Sequence, residues 1–298
     1  MIVLTGATGQ IGSHVLARLA QSGQAIRVIA RDPSRLPAMA NGQIEIIEGS
    51  HDNLEICLRA FDGADRVFWL VAGDPKAASA HAAYVDFSRP GCEAMQRQGV
   101  KQVVGISALG RGWPRDAGHA TATLELDDMI AETGVHYRAL TCPSLMENLL
   151  RQRQSIRDQG AFFWPMPGDI KAPACSTRDV AALATTLLLD EAWTGVEEIP
   201  VLGPEDLSCN DMAGIMTEVL GRPVRFQQIP MEDMRAIMLR NGASAGMAQA
   251  MVNMLTAKLE GMDNMVKRTG PGNSPTGFRE WCDLVLKPAL GTGETTVS

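Results

Sequence analysis

The chain begins with a short apolar run, Met1-Ile2-Val3-Leu4, that leads directly into Thr5-Gly6-Ala7-Thr8-Gly9-Gln10-Ile11-Gly12. No other stretch constrains the fold as strongly. Three glycines at this spacing let the backbone turn sharply, leave room for a pyrophosphate where a Cβ would stand, and let the next helix pack close to the strand. The free N–H groups of that helix would face the phosphates. Glycine-rich loops are common, so the surroundings decide. An apolar strand precedes the turn, and Ile11, Val15, Leu16 and Leu19 follow at helical spacing until Gly23. A second strand, Ala25 to Ala30, ends in Arg31, about where a unit of this kind places its ribose-recognition residue. The segment reads as a dinucleotide-binding turn with contacts from Gly6, Thr8, Gly9, Gln10, Ile11 and Gly12.

Further strand-like runs lie at Ile44 to Ile47, Arg66 to Val71, Val103 to Ile106 and Tyr137 to Leu140, each separated from the next by a segment able to form a helix. That alternation predicts an α/β fold, a Rossmann-like doubly wound parallel sheet. The strands are nearly continuous apolar runs, as expected when helices cover both faces. Ligands of such sheets sit at the carboxyl ends of the strands.

After Pro143 the alternation loosens into the aromatic, turn-rich Phe162-Phe163-Trp164-Pro165-Met166-Pro167-Gly168. Helices are expected at Asp179 to Leu189, Cys209 to Leu220, Met231 to Arg240 and Gly246 to Leu259, and short strands at Glu198 to Leu202 and Val224 to Ile229. The expected organisation is a dinucleotide-binding domain over 1–143, a smaller substrate-binding α/β lobe over 144–290, partly interleaved with the first, and a frayed tail over 291–298. Ten of the sixteen methionines lie between Met212 and Met265. They read either as a deformable cover over a substrate or as ordinary helical core.

With 298 residues and 45% hydrophobic content the chain can bury a full core. A net charge of −7 argues against a nucleic-acid surface. The N-terminal apolar run is only a strand long, so no signal peptide is expected, and no segment reaches the length of a membrane span. The six cysteines show no C-x-x-C pair and read as reduced thiols of a cytoplasmic protein. The five histidines show no metal-ligand spacing, so no metal is expected.

Several motifs together resemble the NmrA-like group of atypical short-chain dehydrogenases/reductases. They are Gly6 to Gly12, Ala30-Arg31-Asp32-Pro33-Ser34-Arg35-Leu36, Ser144-Leu145-Met146-Glu147-Asn148, Ser176-Thr177-Arg178-Asp179-Val180-Ala181, Leu202 to Ser208 and Val219 to Val224. The resemblance covers the chain to about residue 230. It implies an NADP-preferring Rossmann domain with a C-terminal lobe closing a substrate cleft, in a group that includes quinone, azo-dye and triphenylmethane reductases and also redox sensors that bind the dinucleotide without turning it over.

Cofactor choice rests on charge. A guanidinium grips a 2′-phosphate bidentately, whereas an acidic side chain there would repel it. Arg31, with Arg35, is assigned to the phosphate of NADP(H), with NADH a weaker alternative. Asp32 followed by Pro33 reads as a helix cap. Ser50 and His51 should lie near the adenine, although His51 could equally be an exposed loop residue. Leu70 and Val71 should border the adenosine. The resemblance puts Ser107 and Pro143 at the nicotinamide.

The common short-chain dehydrogenases pair a tyrosine with a lysine four residues on, and that dyad is absent. Tyr84 and Tyr137 are followed at this spacing by Ser88 and Thr141, and no lysine occurs between Lys101 and Lys171. Hydride transfer to a quinone-like or other conjugated small-molecule acceptor remains open, because such acceptors can take their proton from water. If a side chain donates it, His119 is the candidate, its alternative being a solvent-facing residue at a helix start. Ser107 could hydrogen-bond an acceptor oxygen or its own turn. Trp113, Phe163 and Trp164 could wall a planar substrate or simply pack, and Asn148 could reach across the cleft or hold the backbone. The sequence thus points to an NADPH-dependent reductase acting as a monomer or homodimer. The alternatives are a non-catalytic NADP(H)-sensing regulator and a narrow reductase or isomerase of a biosynthetic pathway.

Overall fold

A computed structural model describes residues 1–36, 44–268 and 274–291, so the tail from 292 lies outside the described residues. The first half alternates as its hydrophobic pattern requires: β1 (Ile2–Leu4), α1 (Gln10–Leu19), β2 (Ile26–Ala30), β3 (Ile44–Glu48), α2 (Leu54–Phe61), β4 (Arg66–Trp69), α3 (Phe87–Gln98), β5 (Gln102–Ala108), α4 (His119–Glu132) and β6 (His136–Cys142). A single π-helical turn, Ala82–Asp86, runs into α3. Ile11, Val15, Leu16 and Leu19 are the buried stripe of α1, as their spacing predicts.

The second half adds β7 (Ser144–Leu145), a 3-10 segment (Met146–Gln152), α5 (Arg153–Gln159), β8 (Ala161–Trp164), β9 (Ala172–Cys175), α6 (Thr177–Leu189), β10 (Val196–Pro200), β11 (Asp206–Leu207), α7 (Cys209–Leu220), β12 (Arg225–Gln228), α8 (Met231–Arg240) and α9 (Ala245–Leu259). Local chemistry fixes several of these ends. Ser208 and Asp211 form a reciprocal capping box at the start of α7, and Gly221, at φ +65°, ends it.

Seven strands pair in the order β10-β6-β5-β4-β1-β2-β3, all parallel. The chain therefore returns to the large sheet after Pro143: β10 extends it beside β6, and α6 packs against α1. One face buries Ile2, Leu4, Val28, Val104 and Leu140 under α1 and α6, the other buries Val3, Val67, Val103 and Tyr137 under α2, α3 and α4. Each such side chain contributes about 1.5–3 kcal/mol when taken fully from water. A three-stranded sheet (β11-β9-β7) and the pair β12-β8 are built from the remainder. Among the described residues no helix is long and apolar enough to cross a membrane.

Part of the methionine-rich stretch is ordinary helical core. Met247 is buried on α9 with Ala80, Ala83 and Ala122, whereas α8 buries none of its residues. None of the six cysteines is in a disulfide, and burial pushes the thiols of Cys57, Cys92 and Cys282 up to about 12.

Candidate functional site

The glycine turn is held at its root by Thr5, whose buried hydroxyl lies 3.1 Å from the Leu70 carbonyl and accepts from the Leu70 N–H at 2.8 Å, joining the ends of β1 and β4. Gly6 sits at φ +65°, and a Cβ there would lie 2.7 Å from Leu70 Cδ2. At Gly12 a Cβ would stand 2.2 Å from the Gly6 carbonyl oxygen, so only glycine lets α1 seat this close. Gly9 is the N-cap of α1 and offers no capping side chain. The first-turn N–H groups of the helix are thereby left for an anion. Thr8, Gly9 and Gln10 are exposed at this opening, and Ile11 and Gly12 are buried beneath it. The donor set fits a pyrophosphate.

At the end of β2, Asp32 is engaged: its Oδ1 accepts from the Ser34 N–H at 3.1 Å and the Ser34 hydroxyl at 2.6 Å, capping the 3-10 turn Pro33–Arg35. That hydrogen bonding also holds its carboxyl below the usual range. Arg31 and Arg35 are exposed and have no ion-pair partner among the described residues. After β3, Ser50 is half-buried, and His51 is neither an exposed loop residue nor a free polar contact. Its ring is wedged edge-on between Trp69 (5.0 Å) and Phe87 (4.7 Å), and desolvation pushes its pKa down to about 4. Leu70, following β4, borders the turn at Gly6, and Val71 packs against the core cluster of Trp69, Val85 and Cys92.

At the other end of the crevice the β5–β6 register sets Ser107 beside Thr141, one residue before β5 ends. Ser107 Oγ donates to neither an open cleft nor its own turn: it is hydrogen-bonded to Asp127 of α4. The other oxygen of Asp127 accepts from the Tyr137 hydroxyl at 2.6 Å. Gly105 makes this possible, since a Cβ there would stand 2.1 Å from Tyr137 Oη. All three polar side chains are buried. Desolvation pushes the Asp127 carboxyl up to about 6 against the opposing pull of its two hydrogen bonds. Asp127 escapes a reading of the sequence because Glu125-Leu126-Asp127-Asp128 looks like a solvated helix face; its one local signal is the position between the buried Leu126 and Ile130.

His119 is not at a solvent-facing helix start. It is buried, with Nε2 3.2 Å from the Met247 carbonyl and its ring edge-on to Tyr84. Burial lowers its pKa, so near neutrality the imidazole carries one proton, committed to that carbonyl, while Nδ1 is buried without a partner among the described residues. This geometry offers a lone pair rather than a proton to donate.

Pro143 is buried at the end of β6. Asn148 is half-buried in the 3-10 segment, and the neighbouring Glu147 is the residue that reaches across: it accepts from Ser176 Oγ (3.3 Å), the Thr177 N–H (3.1 Å) and Trp281 Nε1 (3.1 Å). The aromatic candidates fall in separate places. Trp113 packs with Ala117, Met254 and Met262, with Arg115 over its ring, whereas Phe163 and Trp164 lie on β8, where Gln152 binds both the N–H and the carbonyl of Phe163.

Residues 6–191 match an NAD(P)H-binding family. The chain belongs to that family. A (4-alkanoyl-5-oxo-2,5-dihydrofuran-3-yl)methyl phosphate reductase of Streptomyces griseus is 29% identical over 286 residues, covering 94% of this chain and 96% of the relative. An NAD(P)H azoreductase of Xenophilus azovorans is 27% identical over 251 residues, 84% and 85% of the two chains. Among solved structures, the Escherichia coli NADPH-dependent quinone oxidoreductase complexed with NADPH superposes with a TM-score of 0.76 at 22% identity, covering 98% of this chain and 99% of the other. The fold and the resemblance to NmrA-like reductases expected from the motifs agree with these relatives.

Proposed function

We propose that this NAD(P)H-dependent oxidoreductase prefers NADPH and reduces a quinone-like or other conjugated small molecule by direct hydride transfer. The observation that carries the cofactor choice is the pairing of Arg31 and Arg35, exposed and without an ion-pair partner among the described residues, with an Asp32 already engaged in a cap. The Asp32 carboxylate is engaged by Ser34, and the two neighbouring arginines outweigh its charge at a 2′-phosphate. The open N–H groups of α1 hold the pyrophosphate, and Leu70 and Val71 flank the adenosine half.

When bound, the dinucleotide supplies hydride. The chain contributes position and hydrogen bonding. Ser107 donates to Asp127 as it stands, and it orients the acceptor oxygen when Asp127 takes up a proton, below about pH 6, donates to Ser107 Oγ in turn and so frees the serine proton. The proton that balances the hydride comes from water. Conjugated acceptors suit this arrangement because their reduced forms delocalise charge and need no strong acid, and the named substrates of the relatives, an azo compound, a quinone and an unsaturated furanone, share that property.

The test is oxidation of NADPH and NADH, followed by absorbance, against quinones, azo dyes, enones and imines. Turnover with NADPH preferred is the expected result. Arg31→Ala should weaken NADPH by about 10- to 100-fold, the worth of one or two charge-assisted hydrogen bonds, and leave NADH nearly unchanged. Equal losses with both cofactors would refute the assignment of Arg31, and absence of turnover with every acceptor in protein shown to bind NADPH would refute the reductase.

A further inference from the structure

The outward face of α1 borders an open cavity of about 730 Å³, lined opposite by the start of α6, the 3-10 segment and the C-terminal helical stretch around Leu284. Its charge is lopsided. Arg18 and His14 enter from α1 and Arg178 from α6, and neither arginine has an ion-pair partner among the described residues. The one carboxylate in the wall, Glu147, already accepts from three donors. His14 senses the imbalance: burial lowers its pKa and the charges of Arg178 and Arg18 lower it further, with Glu147 opposing. Thr177, a lining residue only 1% exposed, carries a buried hydroxyl oxygen with no hydrogen-bond partner among the described residues.

The buried hydroxyl without a partner among the described residues is a departure from the way interiors are built, and the two guanidinium groups, exposed to solvent, can turn toward a bound anion. In a chain with seven more acidic than basic residues, cations gathered without carboxylates are notable. Gln10 and Thr177, the first residues of α1 and α6, both line the cavity.

We propose that this cavity is a binding site for a small phosphorylated molecule, whose phosphate group is taken by Arg18, Arg178 and His14, and that it is separate from the dinucleotide site. Two guanidinium forks match phosphate geometry, and the volume suits a molecule of sugar-phosphate size. The cavity shares only Gln10 with the glycine turn and includes neither Arg31 nor Arg35.

The experiment is calorimetric titration of inorganic pyrophosphate into protein saturated with NADPH, so that the dinucleotide site is blocked. Saturable binding is expected, weakened at least about tenfold in the Arg18→Ala/Arg178→Ala double variant and retained in Arg31→Ala. Both arginines are exposed, so the double variant should keep its melting temperature and its NADPH affinity. The His14 ring protons should shift on titration, with the histidine pKa rising as the anion binds. The proposal is overturned by absence of saturable binding to the NADPH-saturated protein, by binding that survives the double variant, or by loss of NADPH affinity in that variant, which would make the cavity part of the dinucleotide site.

Discussion

Asp127 shows how far one side chain's setting can depart from its sequence neighbourhood. Its folded pKa, about 6, lies above the ordinary carboxylate value of 3.8, so the folded state binds the proton more tightly than the unfolded chain. The resulting stabilisation is complete below pH 3.8 and is lost as pH rises through about 6, amounting to about 3 kcal/mol. Urea unfolding at pH 4, 5.5 and 7 should therefore show wild type losing stability relative to Asp127→Asn, which keeps the hydrogen bonds and cannot ionise. Parallel pH curves would refute the assignment. Gly12→Ala, by contrast, acts through backbone contact: a Cβ 2.2 Å from a carbonyl oxygen must push α1 off its turn. A lowered melting temperature together with loss of NADPH binding is expected. At this scale the sequence was readable where chemistry is local. Asp32 could be assigned to its cap because Ser34 is two residues away, whereas nothing near Asp127 or His119 in the chain announces Tyr137 or Met247.

The elements followed the sequence closely, because capping and amphipathic spacing act within a few residues. The expected spans Cys209 to Leu220 and Met231 to Arg240 are those of α7 and α8. What spacing could not give is how elements are tied together. Two motifs of the NmrA-like resemblance, Met146-Glu147-Asn148 and Ser176-Thr177-Arg178-Asp179, meet at one clasp: Glu147 gathers α6 and Trp281, while Asp179 accepts from Ser274 Oγ at 2.7 Å and Thr276 Oγ1 at 2.9 Å. Glu147→Ala would leave buried donors without an acceptor, at about 1–3 kcal/mol each before relaxation. We expect a lower unfolding midpoint, a red-shifted Trp281 emission and faster proteolysis of the C-terminal stretch, with Glu147→Gln recovering part of each.

Across the whole molecule, α9 is seated on the sheet end by close backbone approaches. A Cβ at Gly118 would lie 1.9 Å from the Ala250 carbonyl oxygen, and one at Gly246 would lie 2.0 Å from that of Ala78. Ser244 reinforces the seat through its N–H to Pro75 O (2.9 Å) and its hydroxyl to Ala77 O (2.5 Å). Gly118, at φ +55°, tolerates no side chain on either count. Gly118→Ala should lift α9, raising KM for the acceptor several-fold while leaving NADPH affinity intact; a change confined to NADPH binding would contradict this. The sequence alone determined the β-α alternation, the glycine turn, the cap at Asp32 and the cationic Arg31 just after β2, since each depends on residues within one turn or one strand. Only the tertiary structure decided that Ser107 answers to Asp127, that His119 is buried with its proton committed, and that Arg18 and Arg178 line one cavity. Those groupings join residues separated by 20, 128 and 160 positions, and they exist because the parallel sheet and its covering helices bring distant parts of the chain together.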